Sequence, residues 1–432
     1  MVRASSDRTS EMKKILAQKA KKIFLFGHFG QGNFGNESTL MSMLLGLRRL
    51  APDAQLVCVC TGPETVAKTY NIETVASRER IFAALMFRNP LAKAVQKILI
   101  GIPSELYRWM VSVRTLWGAD ALIMPGTGVL TDAYTLFDWG PYDMFRWSVA
   151  AKLCGCKLLF VSVGAGPLYG RKAKLFIKVA LRLADFRSFR DESSVQYLKR
   201  IGFRADNDPV CPDLAFGLTD IDIAHHKTRQ GRRPVVGLGL MEYAGKYSVE
   251  KPSNAVHTGY LDQLTIFVSW LLRNGYDVRL LIGDLADVSV TKQFRTLLKQ
   301  RAVTQEGARI IDEPIDSVED LLVQLAACDY VVATRFHNVL LAIVLGKPVV
   351  AISFHHKCIS LMKQMGLQQY LQDMDTLQAH KLIQLFCEMV NNAEQIKRTL
   401  QEKSELYRKM VDEQHDIITS TIWKSHFVLL PA

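Results

Sequence analysis

Apolar positions along this chain come in short unbroken runs, separated by stretches with helical spacing. In the first half the runs Ile23–Phe26, Gln55–Cys60, Ala121–Gly126, the start of Lys157–Pro167, and Phe186–Phe189 predict strands. In the second half strands are expected at 234–240, 277–283, 309–311, Tyr330–Ala333 and Pro348–Ile352. Unbroken rather than alternating runs suit a parallel sheet covered on both faces. Helical patterns fall between them: after Asn36, at Glu192–Arg200, near 258–273 and 317–327, and at Val339–Leu345, which ends at Gly346. Two such β–α successions predict an α/β protein of two doubly wound, Rossmann-like domains facing across a cleft.

The boundaries follow from texture. Residues 1–20 are polar and basic and read as a tail, and 21–217 as the first domain. The stretch 218–233, rich in His, Lys and Arg, reads as a linker. Residues 234–375 form the second domain and 376–432 a C-terminal helical region. Within the first domain, 78–117 interleaves arginines and lysines with Phe82, Leu85, Met86, Trp109 and Trp117, opposed by Glu79 and Glu105 alone. This predicts one or two basic amphipathic helices, broken near Pro90 and Pro103. They are either an insertion packed on the domain or a surface for membrane.

Strand tips carry the candidate chemistry, because ligands of open α/β sheets sit beyond the carboxyl ends of strands. The run DYVVATRFHNVLLAIVLGKPVVAISFHHK (329–357) places Thr334, Arg335, His337 and Asn338 after one strand, and His355, His356 and Lys357 after the next. The helix opening near His337 turns its unpaired N–H groups to the same place, which suits an anion. A small, strongly acidic substrate is expected. Arg190 sits at another tip, with Asp191 as N-cap; its plain alternative is an ion pair with Asp191 or a neighbour.

The first strand runs into GHFGQGNFGNEST, where Gly30-x-Gly32-x-x-Gly35 matches the dinucleotide fingerprint. The second strand, however, ends in Thr61-Gly62-Pro63, with no acid for a ribose hydroxyl, so a nicotinamide site is set aside. The glycines still require close backbone approach. A tight turn with Asn36 as helix cap and Glu37 in the first turn is the simpler account. Gly126 and the run Gly164-Ala165-Gly166 mark two further tips.

Composition adds a sign. The chain has 432 residues, 49% hydrophobic and 22% charged, as an ordinary globular enzyme has. Its net charge of +12 favours phosphorylated metabolites, lipid headgroups or nucleic acid, and no nucleic-acid motif supports the last. Eight cysteines lack Cys-x-x-Cys spacing; Cys58/Cys60 and Cys154/Cys156 are each expected to share a strand face, as small buried thiols in a reducing compartment. His355 and His356 have no carboxylate or cysteine at ligand spacing, so no metal is expected. No secretory signal and no membrane span are read, which predicts a cytoplasmic protein.

GNFGNEST, VGAGP, SFRDESS, CPDLAF and the 329–357 stretch occur in order from about 22 to 370. As a set they resemble the polysaccharide pyruvyl transferase family, similar in fold to GT-B glycosyltransferases. The resemblance implies pyruvyl transfer from phosphoenolpyruvate to hydroxyls of a sugar in a cell-surface polysaccharide or its lipid-linked precursor, forming a ketal with no further cofactor. It also implies that Arg190 and Arg335 bind phosphoenolpyruvate. One departure stands out: Gly35-Asn36-Glu37 replaces the usual Gly-Asp-Glu.

The residues fit that chemistry. Ketal formation protonates C3 of the enol, lets a sugar hydroxyl attack C2, and expels phosphate; a second hydroxyl closes the ring. Negative charge gathers on the leaving phosphate, so placed cations catalyse. Arg335 and Arg190 are expected as clamps and His337 as the proton-transfer group. Gly32, Asn33, Gly35, Asn36, Glu37, Gly126, Gly164, Gly166, Asp191, Thr334, Asn338, His356 and Lys357 complete the expected binding set. One rival is a glycosyltransferase using a nucleotide sugar, which often holds ribose with a carboxylate; no Glu lies between Glu319 and Glu388. Another is a non-catalytic, membrane-associated member, suggested by Asn36 and 78–117. The basic aromatic region predicts a lipid-linked acceptor met at the inner face of the cytoplasmic membrane.

Overall fold

A computed structural model describes residues 20–78, 100–126, 128–132, 140–220, 233–242, 254–301, 303, 309–353 and 355–423. Most of the expected tail, of the linker and of the 78–117 region therefore lies outside the described residues.

The first sheet contains β1 (Lys22–Gly27), β2 (Gln55–Cys60), β3 (Glu73–Ala76), β4 (Ala121–Pro125), β5 (Lys157–Val163) and β6 (Phe186–Phe189). Its order is β3-β2-β1-β4-β5-β6 and every pairing is parallel. The second contains β7 (Val235–Gly239), β8 (Asp277–Leu281), β9 (Ile310–Ile311), β10 (Tyr330–Ala333), β11 (Val349–Ile352) and β12 (Leu371–Gln372). Its order is β12-β11-β10-β7-β8-β9, again parallel throughout. Counted from its own first strand, the second sheet repeats the order of the first. Strand order reverses at β1/β4 in one and at β7/β10 in the other. This is the α/β, doubly wound class that the apolar runs predict.

Helices cover both sheets. In the first unit these are most of α1 (Phe34–Leu50), α2 (Pro63–Tyr70), α3 (Ile102–Leu116), α4 (Pro141–Leu153), α5 (Arg171–Leu183) and α6 (Glu192–Arg200). A right-handed crossover fixes which face each helix covers. Steps from β3 to β4 to β5 to β6 all move the same way across the sheet, so α3, α4 and α5 share one face. The packing agrees: Leu116, Trp147, Ala151, Ala173 and Ile177 join Phe24, Val57, Leu122 and Phe160 in one buried cluster. The second unit holds α7 (Asn254–Arg273), α8 (Val288–Gln300), α9 (Val318–Ala326), α10 (Phe336–Val344), α11 (His356–Gln364), α12 (Ala379–Asn391) and most of α13 (Ala393–Trp423). Asn338 to Val344 of α10 are all buried, as its uniformly apolar sequence requires.

The compact units do not follow chain order. One comprises 1–31, 39–214 and 410–432; the other comprises Gly32–Ser38 and Ala215–Lys409. The C-terminal helical region, expected as one block, is thus divided within α13. The short segment after β1 belongs with the second sheet.

The cysteine pattern needs one correction. Cys58 and Cys60 lie on β2, but Cys154 caps α4 and Cys156 precedes β5, joined through Gly155 at φ +73°. A helix end and a turn, not a strand, account for their spacing. All eight thiols are free, and burial pushes Cys156 and Cys358 up to about 12. Those two thiols stay protonated and unreactive. Among the described residues no helix is long and apolar enough to cross a membrane.

Candidate functional site

The end of β10 lies at the switch point of the second sheet. Thr334 N donates to Gly239 O of β7 at 3.1 Å, tying the two tips together. The Thr334 hydroxyl lies 3.0 Å from the Tyr260 hydroxyl on α7. Burial pushes Tyr260 up to about 12, so it remains a neutral phenol. Arg335 takes an extended backbone at the N-cap position of α10. Its Nε donates to Asp287 Oδ2 at 2.8 Å and its Nη2 to Oδ1 at 2.6 Å. Asp287 is fully buried and also accepts from Glu242 N at 2.9 Å. The guanidinium is therefore fixed in plane while its side chain stays 26% exposed.

Asn338, two residues into α10, is fully buried. Its amide fills the space above two glycines: a Cβ on Gly239 would lie 2.8 Å from Nδ2, and one on Gly283 2.6 Å from Oδ1. Any side chain at either strand tip would displace it.

His337 occupies the first turn of α10, half-buried, with its ring edge-on to Phe336. The segment Gly32–Ser38 lies beside it. Leu285 N donates to Gly32 O at 2.9 Å and Phe34 N to Gly283 O at 3.1 Å. Asn33 Nδ2 donates to Asp284 Oδ2 at 2.7 Å. Gly35 sits so close to the imidazole that a Cβ there would be 1.9 Å from His337 Nδ1. Gly32, at φ +78°, is pressed against Leu285 in the same way. The close approach predicted for these glycines is real: Gly32 and Gly35 approach the second sheet's own tips, while a Cβ on Gly30 would lie 2.1 Å from Gly62 O, after β2 of the first sheet. The helix cap predicted at Asn36 is instead Asn33, whose Oδ1 accepts from Asn36 N at 3.2 Å. The helix starts at Phe34, one turn earlier than the pattern suggested, so Asn36 and Glu37 both lie in its first turn.

At the neighbouring tip, β11 runs parallel to β10 with Ala351 opposite Ala333. His355 caps α11, its Nδ1 accepting from Lys357 N at 3.2 Å. Lys357 is half-buried, and the side chain of His356 lies outside those described. Thus Gly32, Asn33, Gly35, Asn36, Glu37, Thr334, Arg335, His337, Asn338 and Lys357 all belong to one compact unit.

Gly126, Gly164, Gly166, Arg190 and Asp191 belong to the other. A Cβ on Gly126 would meet Ser162 O at 2.0 Å, and one on Gly166, at φ +86°, would meet the Tyr197 ring at 2.8 Å. Arg190 is buried; its Nη1 donates to Asp213 Oδ2 at 3.0 Å and its Nε lies 3.5 Å from Asp191 Oδ2. The ion pair weighed as the plain account of Arg190 is therefore present, with a second carboxylate added. Asp191 caps α6 through Ser194 N at 2.7 Å, as expected. Burial alone would raise its carboxyl, but Arg190 and the bonds from Ser193 and Ser194 hold it below the usual range.

Three features escape a linear reading. Asp284 and Asp287 follow β8 in an unremarkable stretch, and Tyr260 sits inside a helix; only the tertiary fold brings Asp287 to Arg335, Tyr260 to Thr334 and Asp284 to Asn33. The third is a buried pair on α4, Asp143 Oδ1 to Arg146 Nη2 at 2.9 Å. Arg146 Nη2 also donates to Ser77 O at 2.8 Å. Burial pushes Asp143 up to about 7 against the downward pull of Arg146. Among the described residues no group of three or more His, Cys, Asp or Glu is placed to hold a metal ion.

Comparison with known proteins gives this arrangement its relatives. AmsJ, the amylovoran biosynthesis protein of Erwinia amylovora, is 20% identical over 431 residues, covering 94% of this chain and 99% of AmsJ. HepE of Anabaena, solved with UDP-glucose, superposes with a TM-score of 0.55 at 13% identity, covering 93% of this chain and 99% of HepE. The UDP-GlcNAc 2-epimerase of Neisseria meningitidis, bound to UDP-GlcNAc, gives 0.56 at 14% identity, covering 94% and 100%. These two likenesses concern the fold, which is of the GT-B type. The polysaccharide pyruvyl transferase profile matches residues 33–356, from the segment beside His337 to the second cationic strand tip. The chain belongs to the polysaccharide pyruvyl transferase family.

Proposed function

We propose that the protein transfers the pyruvyl group of phosphoenolpyruvate to two hydroxyls of a sugar in a cell-surface polysaccharide or its lipid-linked precursor, releasing phosphate and forming a ketal. Family membership makes the chain a transferase of polysaccharide biosynthesis. The donor and the ketal are our reading. The observation that carries it is the pairing of Arg335 and His337 at the helix N-terminus on the β7/β10 switch point. Backbone N–H groups of the first turn and a guanidinium in fixed orientation together suit a phosphate. His337, two residues on, is a group able to deliver a proton to C3 as the hydroxyl attacks C2.

In this reading Arg335 stabilises the charge that develops on departing phosphate, and its pairing with Asp287 means little reorganisation is needed as it does so. Lys357, at the adjoining tip, adds a second cation. Arg190, on the other compact unit, is already paired with Asp191 and Asp213.

The test is direct. The protein is incubated with phosphoenolpyruvate and a panel of saccharide acceptors, following phosphate release and the methyl resonance of a pyruvate ketal. Both signals are expected together. Hydrolysis of a UDP-sugar, with no phosphate released from phosphoenolpyruvate, would replace this reading with glycosyl transfer.

A further inference from the structure

The layer formed by α3, α4 and α5 has an outer side that the reaction does not use. On α3, Ile102, Leu106 and Met110 recur at four-residue spacing and are all exposed, Leu106 to 67%. Trp117, just past the helix end, is 76% exposed. Met110, Arg114 and Trp117 line one open apolar depression with Leu153 of α4. An isolated exposed leucine needs no explanation, but a contiguous apolar surface on a folded protein does.

The same layer is cationic at its other edge. α5 carries Arg171, Lys172, Lys174, Lys178 and Arg182 and no acidic residue. Leu175, also exposed, lies among them. Among the described residues the acids nearby are engaged: Glu105 accepts from Arg108 and Tyr142, Asp143 is buried against Arg146, Asp185 pairs with Lys152, and Asp132 accepts from Tyr169 N and Gly170 N. The three helices are joined by aromatic packing. Trp109 meets Phe145 edge-on at 6.1 Å between centroids, and Phe145 stacks on Phe176 at 5.1 Å. The apolar and cationic edges are therefore parts of one rigid layer.

We propose that this α3–α4–α5 layer docks on an anionic lipid bilayer. Leu106, Met110, Trp117 and Leu153 enter the headgroup boundary, and the α5 cations hold the anionic lipids beside them. Tryptophan and long aliphatic side chains suit that boundary, and clustered Lys and Arg suit anionic headgroups. Charge decides against a second copy of this chain as the occupant. Two such layers face to face would bring ten α5 cations together with no acid on either α5. The assignment is independent of the donor: it would stand if the transferred group proved to be a sugar.

Co-sedimentation of the full-length protein with vesicles tests it. Vesicles of phosphatidylcholine alone are compared with vesicles containing one-third phosphatidylglycerol, at low and high salt. The protein is expected to pellet with the anionic vesicles at low salt, and far less with neutral vesicles or at high salt. Lys172→Glu/Arg182→Glu is expected to weaken binding by about tenfold or more. Leu106→Ser/Trp117→Ser is expected to weaken the binding that persists as salt rises. All four side chains lie on exposed positions, so unfolding is not expected, and circular dichroism checks that the variants are folded. Protein left in the supernatant at low salt, or binding indifferent to both pairs, overturns the proposal. Concentration-dependent dimers that Leu106→Ser/Trp117→Ser disperses would overturn it too, giving the face to a second copy.

Discussion

The carboxylate of Asp287 grips the guanidinium of Arg335 by two hydrogen bonds, 2.8 Å from Nε and 2.6 Å from Nη2. This sets two effects against each other. The pairing orients the fork for an incoming phosphate, yet it cancels much of the positive charge that would attract one. Removing the Asp287 charge separates them. If charge dominates, Asp287→Asn tightens phosphoenolpyruvate binding; if orientation dominates, it weakens it. Orientation is expected to win, with affinity falling roughly 10- to 100-fold, because a charge-assisted fork contributes about 1.5–3 kcal/mol. Calorimetric titration of folded variant with phosphoenolpyruvate decides, and tighter binding would reverse the assignment.

Arg335→Ala is expected to abolish phosphoenolpyruvate binding. It also strands Asp287, and a buried charge left without its partner costs about 3–5 kcal/mol. The double change Arg335→Ala/Asp287→Ala is therefore expected to melt higher than Arg335→Ala alone. Arg335→Lys keeps the charge but loses the fork, and should fold while binding donor at least about tenfold more weakly. Equal affinity of Arg335→Lys and the parent protein would mean that charge alone matters there.

His337→Ala is expected to leave donor binding largely intact and to lower turnover by roughly 10²–10⁴-fold. Gly35→Ala supplies an independent probe. Its new methyl would stand 1.9 Å from His337 Nδ1, so the ring must move. Turnover should fall as it does in His337→Ala, with the imidazole still present. Affinity lost in step with rate in both variants would make His337 a binding group.

Stability should depend on pH through two buried groups of opposite sign. Burial pushes His415 down to about 4, and its ring lies against Gly46, where a Cβ would be 2.5 Å from Nε2. The unfolded chain then binds the proton that the folded protein refuses, so stability falls as pH drops from about 6.5 towards 4. Asp143, pushed up to about 7, holds a proton that the unfolded chain releases, so its contribution is lost as pH rises from about 4 through 7. The two slopes oppose each other in the parent protein. His415→Gln should be less sensitive to acid than the parent, by on the order of 3 kcal/mol across the window. Asp143→Asn should be more sensitive. Chemical denaturation at pH 4.5 and 6.5 compares them, and parallel pH profiles for all three proteins would contradict these assignments.

How much of this was legible along the chain depends on the range of the interaction. Five of the six strands of each sheet could be read from the chain, because a strand buried on two faces must be apolar throughout, as ALIMP and VVAI are; the edge strands β3 and β12 could not, being short and only partly buried. Arg335 and His337 were legible because a residue directly after a buried strand has one place to be. Asp191 as a cap was legible for the same local reason. Asp287 was not: it lies 48 residues before Arg335, and nothing in the loop after β8 distinguishes it from any surface acid. Gly35 could be seen to need close approach, but its partner, His337, lies some 300 positions away. Arg190 shows the converse limit. Its tip position was plain, yet its pairing with Asp213, which accepts from Nη1 at 3.0 Å, is settled only by tertiary packing.

The placement of Gly32–Ser38 has a bearing on how such chains can be recombined. Because this segment belongs with the second sheet, a swap of everything after residue 214 between two relatives would transplant His337 without the glycine moulded to its ring. The heritable unit of this site is discontinuous: the C-terminal half together with a short passage written near the start of the chain. Changes at Gly35 and at His337 are therefore expected to be tolerated jointly or not at all.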